Sequence, residues 1–367
     1  MFKNFKSILY INWIYFLLIV IIFWIGEVNL FSASGGSLDP WAKNQLIRFI
    51  SFLPIFFLII FLKPRLIFNF SEFLLFFTFL GLIATLIFGY TGMGAKRWIN
   101  FGYFNLQVSE FAKIFLILFL SKYFHNLDLK KNLEISKSLI PMTLTLLIFF
   151  LILIQPDLGT ALILLFLGCS MIFFMGIKLI YPLLTILIFL LSSPLIWKLL
   201  KPYQQNRILI YLNPDLDPLG KGYHIIQSQI AIGSGGIRGN GFLGGSQSSL
   251  DFIPEKETDF VFSIFAEQFG FIGSVLLITL FFIIIVVPIL KSINFQNIFI
   301  KVALLGFSIK ILLEVIINIS MTLGLLPVVG VALPLMSYGG SSLLSNMIIF
   351  ALIINFMSED NKVRYFK

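Results

Sequence analysis

The residues of this chain that could do acid–base chemistry include Asp259, which opens a very apolar segment, DFVFSIFAEQFGF. Desolvation at the mouth of an apolar cavity disfavours an ionised carboxylate, so we expect a raised pKa for Asp259, which suits a general base. Helix capping is the alternative role, although Thr258 is also suited to be the cap. Glu267 lies two turns further along, and we expect it either to line a cavity or to contact another helix.

A second set of ionisable residues lies inside apolar segments. Glu110 and Lys113 are three residues apart in QVSEFAKIF, so they share one helix face. Ionisable groups within membrane spans are costly and often functional. Two interpretations stay open for this pair, a structural ion pair and a polar lining near the outer end of a cavity. Lys310, Glu314 and Asn318 form another polar stripe at helical spacing, which we interpret as polar packing between helices.

A long polar stretch, residues 201–258, gathers cations among many glycines. Glycine-rich backbone can approach a phosphate closely, and cations can neutralise it. The spacing matches no phosphate-binding loop, so a solvated loop is the alternative. The candidate phosphate contacts in this stretch are Arg207 and Arg238, whereas we interpret His224 as structural.

The composition places these groups in a membrane protein. The chain has 367 residues, of which 59% are hydrophobic, 12% are charged and 44 are Phe, whereas soluble proteins carry about 25% charged residues. The net charge of +9 is spread over short loops, as orientation signals are, so we expect no nucleic-acid partner. The single cysteine, Cys169, lies in an apolar segment and excludes a disulfide framework.

Apolar runs of about 20 residues predict the membrane spans. We predict an all-α polytopic membrane protein, a single integral membrane domain over residues 1–367, with one large extracytoplasmic loop, 201–258, between the seventh and eighth spans. Asp157 precedes the sixth span and is predicted to cap its first turn. The ten predicted spans are 11–32, 45–62, 71–90, 107–125, 138–154, 158–176, 179–200, 259–290, 298–323 and 340–357.

Basic residues predict the orientation of these spans. With the N-terminus inside, most Lys and Arg residues fall in inside segments, as the positive-inside rule requires. An even number of spans then puts both termini in the cytoplasm and the 201–258 loop outside. The short outside loops hold only Lys43, Arg48, Lys96 and Arg97.

Five long segments together resemble one bacterial family. This family is the shape, elongation, division and sporulation proteins, and the resemblance covers the chain nearly end to end. GYHIIQS and SQSSLDFIPEK are more similar to its elongation branch than to its division branch. The segments are GAKRWINFGYFNLQVSEFAKIFLILFLSKYF (94–124), QPDLGTALI (155–163), NRILIYLNPDLDPLGKGYHIIQSQIAIGSGGIRGNGF (206–242), FIPEKETDFVFSIFAEQFG (252–270) and NISMTLGLLPVVGVALPLMSYGGSS (318–342).

The resemblance implies a peptidoglycan glycosyltransferase that polymerises lipid II on the outer face of the bacterial cytoplasmic membrane during elongation. A class B penicillin-binding transpeptidase is the family's usual partner. The family's essential TDF aspartate falls on Asp259, and its buried SE-x-x-K pair falls on Glu110 and Lys113. Its RW pair falls on Arg97 and Trp98, which we include among the expected cavity residues.

The chain departs from the family's pattern at Glu257, where the family often has His. This puts a histidine role there in doubt, and the added negative charge should raise the pKa of Asp259 further. Polymerisation joins an acceptor hydroxyl to the donor's anomeric carbon and releases a polyprenyl pyrophosphate. Asp259 is the candidate base, and a divalent cation, Mg²⁺ or Mn²⁺, is an assistant that this chemistry allows. The candidate cations for the pyrophosphate are Arg207, Arg238 and Lys113.

Two other functions fit the same resemblance. A lipid II flippase would place charge at the bilayer midplane and alternate between two faces. A non-catalytic scaffold would only position the transpeptidase, and it would tolerate replacement of Asp259. The polar residues of this chain are skewed towards the predicted outer face, which favours the enzyme.

Overall fold

The computed structural model describes residues 12–92, 95–100, 102, 105–127, 134–199, 202–213, 217, 220–245 and 252–359. These residues form a helical bundle with a small sheet at one end. The helices are α1 (Trp13–Ala33), α2 (Trp41–Phe61), α3 (Pro64–Phe88), α4 (Val108–Asn126), α5 (Ile135–Ile154), α6 (Leu158–Phe174), α7 (Ile180–Leu199), α8 (Pro202–Leu212), α9 (Lys221–Ser234), α10 (Val261–Ile293), α11 (Ile298–Thr322) and α12 (Gly340–Met357).

The ten predicted spans correspond to α1–α7 and α10–α12, so the prediction of an all-α polytopic membrane protein is confirmed in its main features. By length and composition, 7 of the described helices are able to cross a membrane. The other three are α4, which carries buried charges, the 17-residue α6 and the 20-residue α7. The largest boundary error is at α3, which begins at Pro64 rather than at 71. Proline suits the first turn of a helix because its missing N–H is not needed there.

The connection between α3 and α4 contains an antiparallel sheet that the all-α prediction missed. Its strands are β1 (Tyr90–Gly92), β2 (Ala95–Asn100) and β3 (Asn105–Gln107), in the order β1-β2-β3. Trp98 in the central strand pairs with Tyr90 on one side and with Gln107 on the other. Strands of three to six residues are too short for a period-two pattern to stand out beside long apolar helices.

The predicted loop, 201–258, contains α8 and α9 and packs back on the bundle. Ser228 on α9 bonds to Ser263 on α10 at 2.6 Å and donates to the Thr322 carbonyl of α11 at 2.7 Å. Gln229 donates to the carbonyl of Leu323 at 3.1 Å. The helix α9 is therefore docked against the ends of α10 and α11, and this part of the stretch is not a solvated coil.

The helix α10 is broken at Gly270, where φ is 63° and ψ is −161°. The sequence predicted one continuous span over 259–290, and the break is an additional feature. The glycine-rich segment, residues 235–241, follows α9 and re-pairs the backbone groups at this break. The bonds are Asn240 N–H to the Glu267 carbonyl at 3.0 Å, Gly241 N–H to the Gln268 carbonyl at 3.0 Å, Phe271 N–H to the Gly236 carbonyl at 2.9 Å and Ile272 N–H to the Ile237 carbonyl at 3.2 Å.

Close packing explains two of the glycines of this segment, Gly235 and Gly239. A Cβ at Gly239 would lie 2.0 Å from the Gln268 carbonyl oxygen, and one at Gly235 would lie 2.2 Å from that of Ala266. The N–H groups of Gly239 and Gly241 already donate to carbonyls of this chain. Gly235 and Gly239 therefore allow close contact with α10, and the N–H groups of Gly239 and Gly241 are already engaged within the chain.

Candidate functional site

Four charged side chains from α4 and α11 meet in the centre of the bundle. Lys113 Nζ lies 2.8 Å from Glu110 Oε1 and 2.6 Å from Glu314 Oε1. Lys310 Nζ lies 2.7 Å from Glu314 Oε2, and none of the four side chains exposes more than 10% of its surface. We call these four residues the buried quartet. With two cations and two carboxylates, their formal charges cancel.

The helix α12 adds two hydrogen bonds to the buried quartet. Ser345 Oγ donates to Glu110 Oε2 at 3.0 Å, and Lys310 Nζ donates to Asn346 Oδ1 at 2.6 Å. The sequence predicted the Glu110–Lys113 pair and a separate stripe on α11, but not that the two would meet. Lys113 is buried with two carboxylate partners, and its role as a contact for pyrophosphate stays a prediction.

Asp259 belongs to a turn that precedes α10. We call residues 255–260 the Asp259 turn. The N–H groups of Thr258 and Asp259 both donate to the Glu255 carbonyl, at 3.1 and 3.2 Å. The prediction that a helix begins with Asp259 is wrong by two residues, because α10 begins at Val261. The predicted N-cap residues, Asp259 and Thr258, are also not the N-cap of this helix. The N-cap is Phe260, which makes no side-chain cap bond, and Thr258 Oγ1 donates back to Glu255.

Three successive carbonyl groups of the Asp259 turn each accept a hydrogen bond from the far end of the sequence. The donors lie on α11 and in the connection between α11 and α12. The bonds are Tyr338 N–H to Glu257 at 2.8 Å, Ser337 Oγ to Thr258 at 2.6 Å and Asn318 Nδ2 to Asp259 at 3.1 Å. Asp259 itself is half-buried, and its Oδ2 lies 3.4 Å from the position that a Cβ at Gly330 would take.

The Asp259 turn and the buried quartet are linked through α11. Asn318, which holds the Asp259 carbonyl, is four residues after Glu314. One helical turn separates the two positions, or about 6 Å along the axis. The helix α11 therefore contributes both to the buried ion pairs, through Lys310 and Glu314, and to the hold on the Asp259 turn, through Asn318. The sequence predicted its polar stripe only as packing.

Arg97 and Trp98 are placed by the sheet. Arg97 Nη2 donates to the Pro156 carbonyl at 3.1 Å, and its Nη1 lies 3.8 Å from Asp157 Oδ1. Asp157 also accepts from Thr160 N–H at 3.4 Å, as predicted for a cap of α6, and from Gln107 Nε2 at 3.0 Å. Arg97 therefore anchors the sheet to the turn between α5 and α6, and Trp98 is half-buried in the strand beside it.

The remaining predicted residues lie in different settings. Glu267 is completely buried in α10, and its carbonyl accepts from Asn240. Arg238 is exposed on the glycine-rich segment. Arg207 belongs to α8, but its side chain lies outside the described residues. The ring of His224 lies 6.0 Å from that of Phe260.

Sequence reasoning missed Arg48 on α2. Its guanidinium carbon lies 4.6 Å from the centre of the Tyr338 ring, a cation–π contact. Its Nε lies 3.6 Å from the Cβ position of Gly340, where α12 begins. A signal was available. Arg48 was counted with the short outside loops, yet its position falls inside the predicted span 45–62, and ionisable residues in spans call for an explanation.

The described residues contain no group of three or more His, Cys, Asp or Glu side chains that could hold a metal ion. A protein-only metal cage is therefore not built into the part of the chain that the structure describes. Mg²⁺ commonly takes one or two carboxylates together with substrate phosphates. A divalent cation at the Asp259 turn would need most of its ligands from a bound phosphate compound.

Curated proteins similar to this chain come from several bacteria. The peptidoglycan glycosyltransferase MrdB of Escherichia coli K12 is 38% identical over 301 residues, which is 80% of this chain and 79% of that protein. The peptidoglycan glycosyltransferase RodA of Treponema pallidum is 34% identical, over 75% of this chain and 79% of that protein. The probable peptidoglycan glycosyltransferase FtsW of Coxiella burnetii is 36% identical, over 78% and 77%.

Solved structures share the fold. One reports the structural coordination of polymerization and crosslinking by a peptidoglycan synthase complex, with a TM-score of 0.82 and 32% identity over 95% of this chain and 97% of that one. The rod shape determining protein RodA of Thermus thermophilus matches with a TM-score of 0.72 and 28% identity, over 95% and 96%. The sequence profile of a cell cycle protein family matches residues 6–362. The chain belongs to this family, the FtsW, RodA and SpoVE proteins of bacteria.

Proposed function

We propose that this chain polymerises lipid II into glycan strands at the outer face of the bacterial cytoplasmic membrane during cell elongation, with Asp259 as the general base. The enzyme class rests on the relatives, which are named peptidoglycan glycosyltransferases at 34–38% identity over most of the chain. The chain is a multi-pass membrane protein of that class. The elongation role is supported by the matches to RodA proteins.

The observation that carries the choice of Asp259 is the way its turn is held. The main chain around it is fixed by hydrogen bonds from two other segments, while the side chain is half-buried beside Gly330. A general base must be held within reach of the proton that it removes. The Asp259 turn, which precedes α10 and is held by Asn318 and Ser337, meets that requirement better than the completely buried Glu267 does.

The reaction needs one displacement. The acceptor hydroxyl oxygen attacks the donor's anomeric carbon, and Asp259 takes the hydroxyl proton. The bond from that carbon to the pyrophosphate oxygen breaks, and the polyprenyl pyrophosphate leaves with the electron pair. Since a single displacement inverts the anomeric centre, one carboxylate base is chemically sufficient, without a second one as nucleophile.

Positive charge is needed where the pyrophosphate departs. Arg207 and Arg238 remain candidates from the sequence. The structure supports adding Arg48, because Tyr338 under its guanidinium donates its N–H to the carbonyl of Glu257. We propose that Arg48 binds the pyrophosphate, and we assign no step to a divalent cation.

The proposed partner is a class B penicillin-binding transpeptidase. It is supported by the similarity to a chain of a synthase complex that coordinates polymerization and crosslinking. The proposed orientation, with both termini in the cytoplasm and residues 201–258 outside, rests on the positive-inside pattern. On this topology the Asp259 turn faces the compartment in which glycan strands are assembled.

The test is a polymerisation assay in detergent. Purified protein, with and without a class B transpeptidase, is incubated with labelled lipid II, and the products are separated by gel electrophoresis. Detergent removes the two sides of a membrane, so a flippase has no measurable product there, whereas a polymerase makes glycan chains. Absence of polymer in both samples, from protein shown to be folded, would overturn the proposal.

A further inference from the structure

Asn318 makes an unusual set of contacts for a residue inside a helix. Its side chain is completely buried, and its Nδ2 donates both to the Asp259 carbonyl at 3.1 Å and to the Val331 carbonyl at 2.7 Å. Among the described residues its Oδ1 has no hydrogen-bond partner. A buried amide that donates hydrogen bonds to two carbonyls from different segments holds those segments at a fixed separation.

One of the two segments that Asn318 joins is the Asp259 turn, which carries the carboxylate. The other is the connection that contains Gly330, and Asp259 Oδ2 lies 3.4 Å from the position that a Cβ at Gly330 would take. Ser337 ties the same two segments a second time, since its Oγ donates to the Thr258 carbonyl and accepts from Leu333 N–H at 2.8 Å. Loss of either side chain would let the Asp259 backbone shift relative to that connection.

We infer that Asn318 and Ser337 are positioning residues, which set the place of the Asp259 carboxylate through its main chain. This inference rests on the proposed function. Neither side chain needs to touch substrate, because both act on the carbonyls of the turn. A displacement of 1 Å at a reacting group can cost about 10²-fold in rate. Substrate binding depends on other contacts, so the effect should fall on kcat and leave KM nearly unchanged.

The chain supplies a matched control for Asn318. Asn355 on α12 is also completely buried, and its Nδ2 donates to the carbonyls of Ile59, Ile60 and Leu62 at 2.7, 2.9 and 2.7 Å. These carbonyls lie at the end of α2 that is remote from the Asp259 turn. Asn355→Ala therefore removes a comparable structural amide without touching the proposed site.

The experiment compares Asn318→Ala, Ser337→Ala and Asn355→Ala in the purified full-length protein. Thermal unfolding midpoints and steady-state lipid II polymerisation are measured for each. We expect all three variants to unfold at lower temperature. Asn318→Ala should lose about 10²-fold in kcat, Ser337→Ala should lose less, and Asn355→Ala should keep the wild-type kcat. If Asn318→Ala does not fold, the kcat of Ser337→Ala decides.

Asp259→Asn separates failure of this inference from failure of the proposed function. If Asp259→Asn is inactive while the folded Asn318→Ala and Ser337→Ala variants keep the kcat of Asn355→Ala, positioning is overturned and the base assignment stands. If Asp259→Asn polymerises at the wild-type rate, both are overturned. A rise in KM with an unchanged kcat in Asn318→Ala and Ser337→Ala would also contradict positioning.

Discussion

Two neighbouring residues of α11 belong to different regions, because Glu314 is part of the buried quartet and Asn318, one helical turn later, holds the Asp259 turn. The two regions are held in opposite ways. In the buried quartet the side chains hold one another, through ion pairs of 2.6–2.8 Å. In the Asp259 turn the main chain is held, through three carbonyls that accept from Asn318, Ser337 and Tyr338. Asp259 is half-buried, whereas all four members of the buried quartet are buried.

This difference separates side chains that stabilise the fold from a side chain that is able to react. A charge that is fully engaged by buried partners cannot change its protonation state or its contacts without cost to the fold. A carboxylate on a fixed main chain can meet a substrate while its position stays constant. We therefore assign the buried quartet to holding α4, α11 and α12 together, and the Asp259 turn to the reaction.

The largest stability effect should come from removing one charge of the buried quartet. Lys113→Ala leaves Glu110 without its ammonium partner, and breaking a buried pair from one side costs about 3–5 kcal/mol. The double variant Glu110→Gln, Lys113→Met removes both charges, so we expect it to be more stable than Lys113→Ala. Thermal unfolding midpoints decide. A double variant that is as unstable as the single one would show that charge balance is not what the buried quartet provides.

A second effect on stability should come from the glycine-rich segment, whose backbone pairs with the backbone groups at the break in α10. Gly239→Ala and Gly241→Ala both place a side chain at positive φ, at 81° and 89°, which costs about 1–2 kcal/mol. Only Gly239→Ala also places a Cβ 2.0 Å from the Gln268 carbonyl oxygen, since nothing lies within 4 Å of a Cβ at Gly241. Gly239→Ala should therefore lower the unfolding midpoint further. Equal midpoints would remove the close-packing explanation.

The sequence predicted the long elements well and the short ones poorly. Ten apolar runs identified ten helices, because a span must satisfy its backbone internally and so must be long and apolar. The sheet at residues 90–107 and the break at Gly270 depend on pairing with distant backbone, and no local pattern reports them. The all-α prediction therefore missed the strands that place Arg97 and Trp98.

In the candidate site, too, the contacts that depend on distant parts of the chain were not predicted. Glu110 and Lys113 were predicted as a pair because helical spacing puts both on one face. Their contacts with Glu314 and Ser345 come from helices that are about 200 residues away in sequence, which spacing cannot reveal. Asp259 was found by its setting before an apolar segment and by family resemblance. The carbonyl contacts that hold it could not be read from side-chain types.

The smallest effect should appear at Glu257, whose pKa is raised because burial disfavours its ionised form. A carboxyl with a raised pKa in the folded state contributes stability at low pH, and this contribution is lost as the pH rises through its folded pKa. Glu257→Gln should therefore raise the unfolding midpoint at neutral pH, and the gain should vanish below the ordinary pKa of glutamate. Unfolding measured across that pH range checks this. A gain that is independent of pH would point to a cause other than ionisation.

The most direct test of the account is the polymerisation of labelled lipid II by Asp259→Asn, with its thermal unfolding midpoint measured on the same preparation. The amide is close to isosteric with the carboxylate but cannot take the proton of the acceptor hydroxyl. General-base loss costs about 10²–10⁴ in rate. We expect a wild-type unfolding midpoint, retained binding of lipid II and almost no polymer. Polymer made at the wild-type rate would contradict it, because the base would then lie elsewhere.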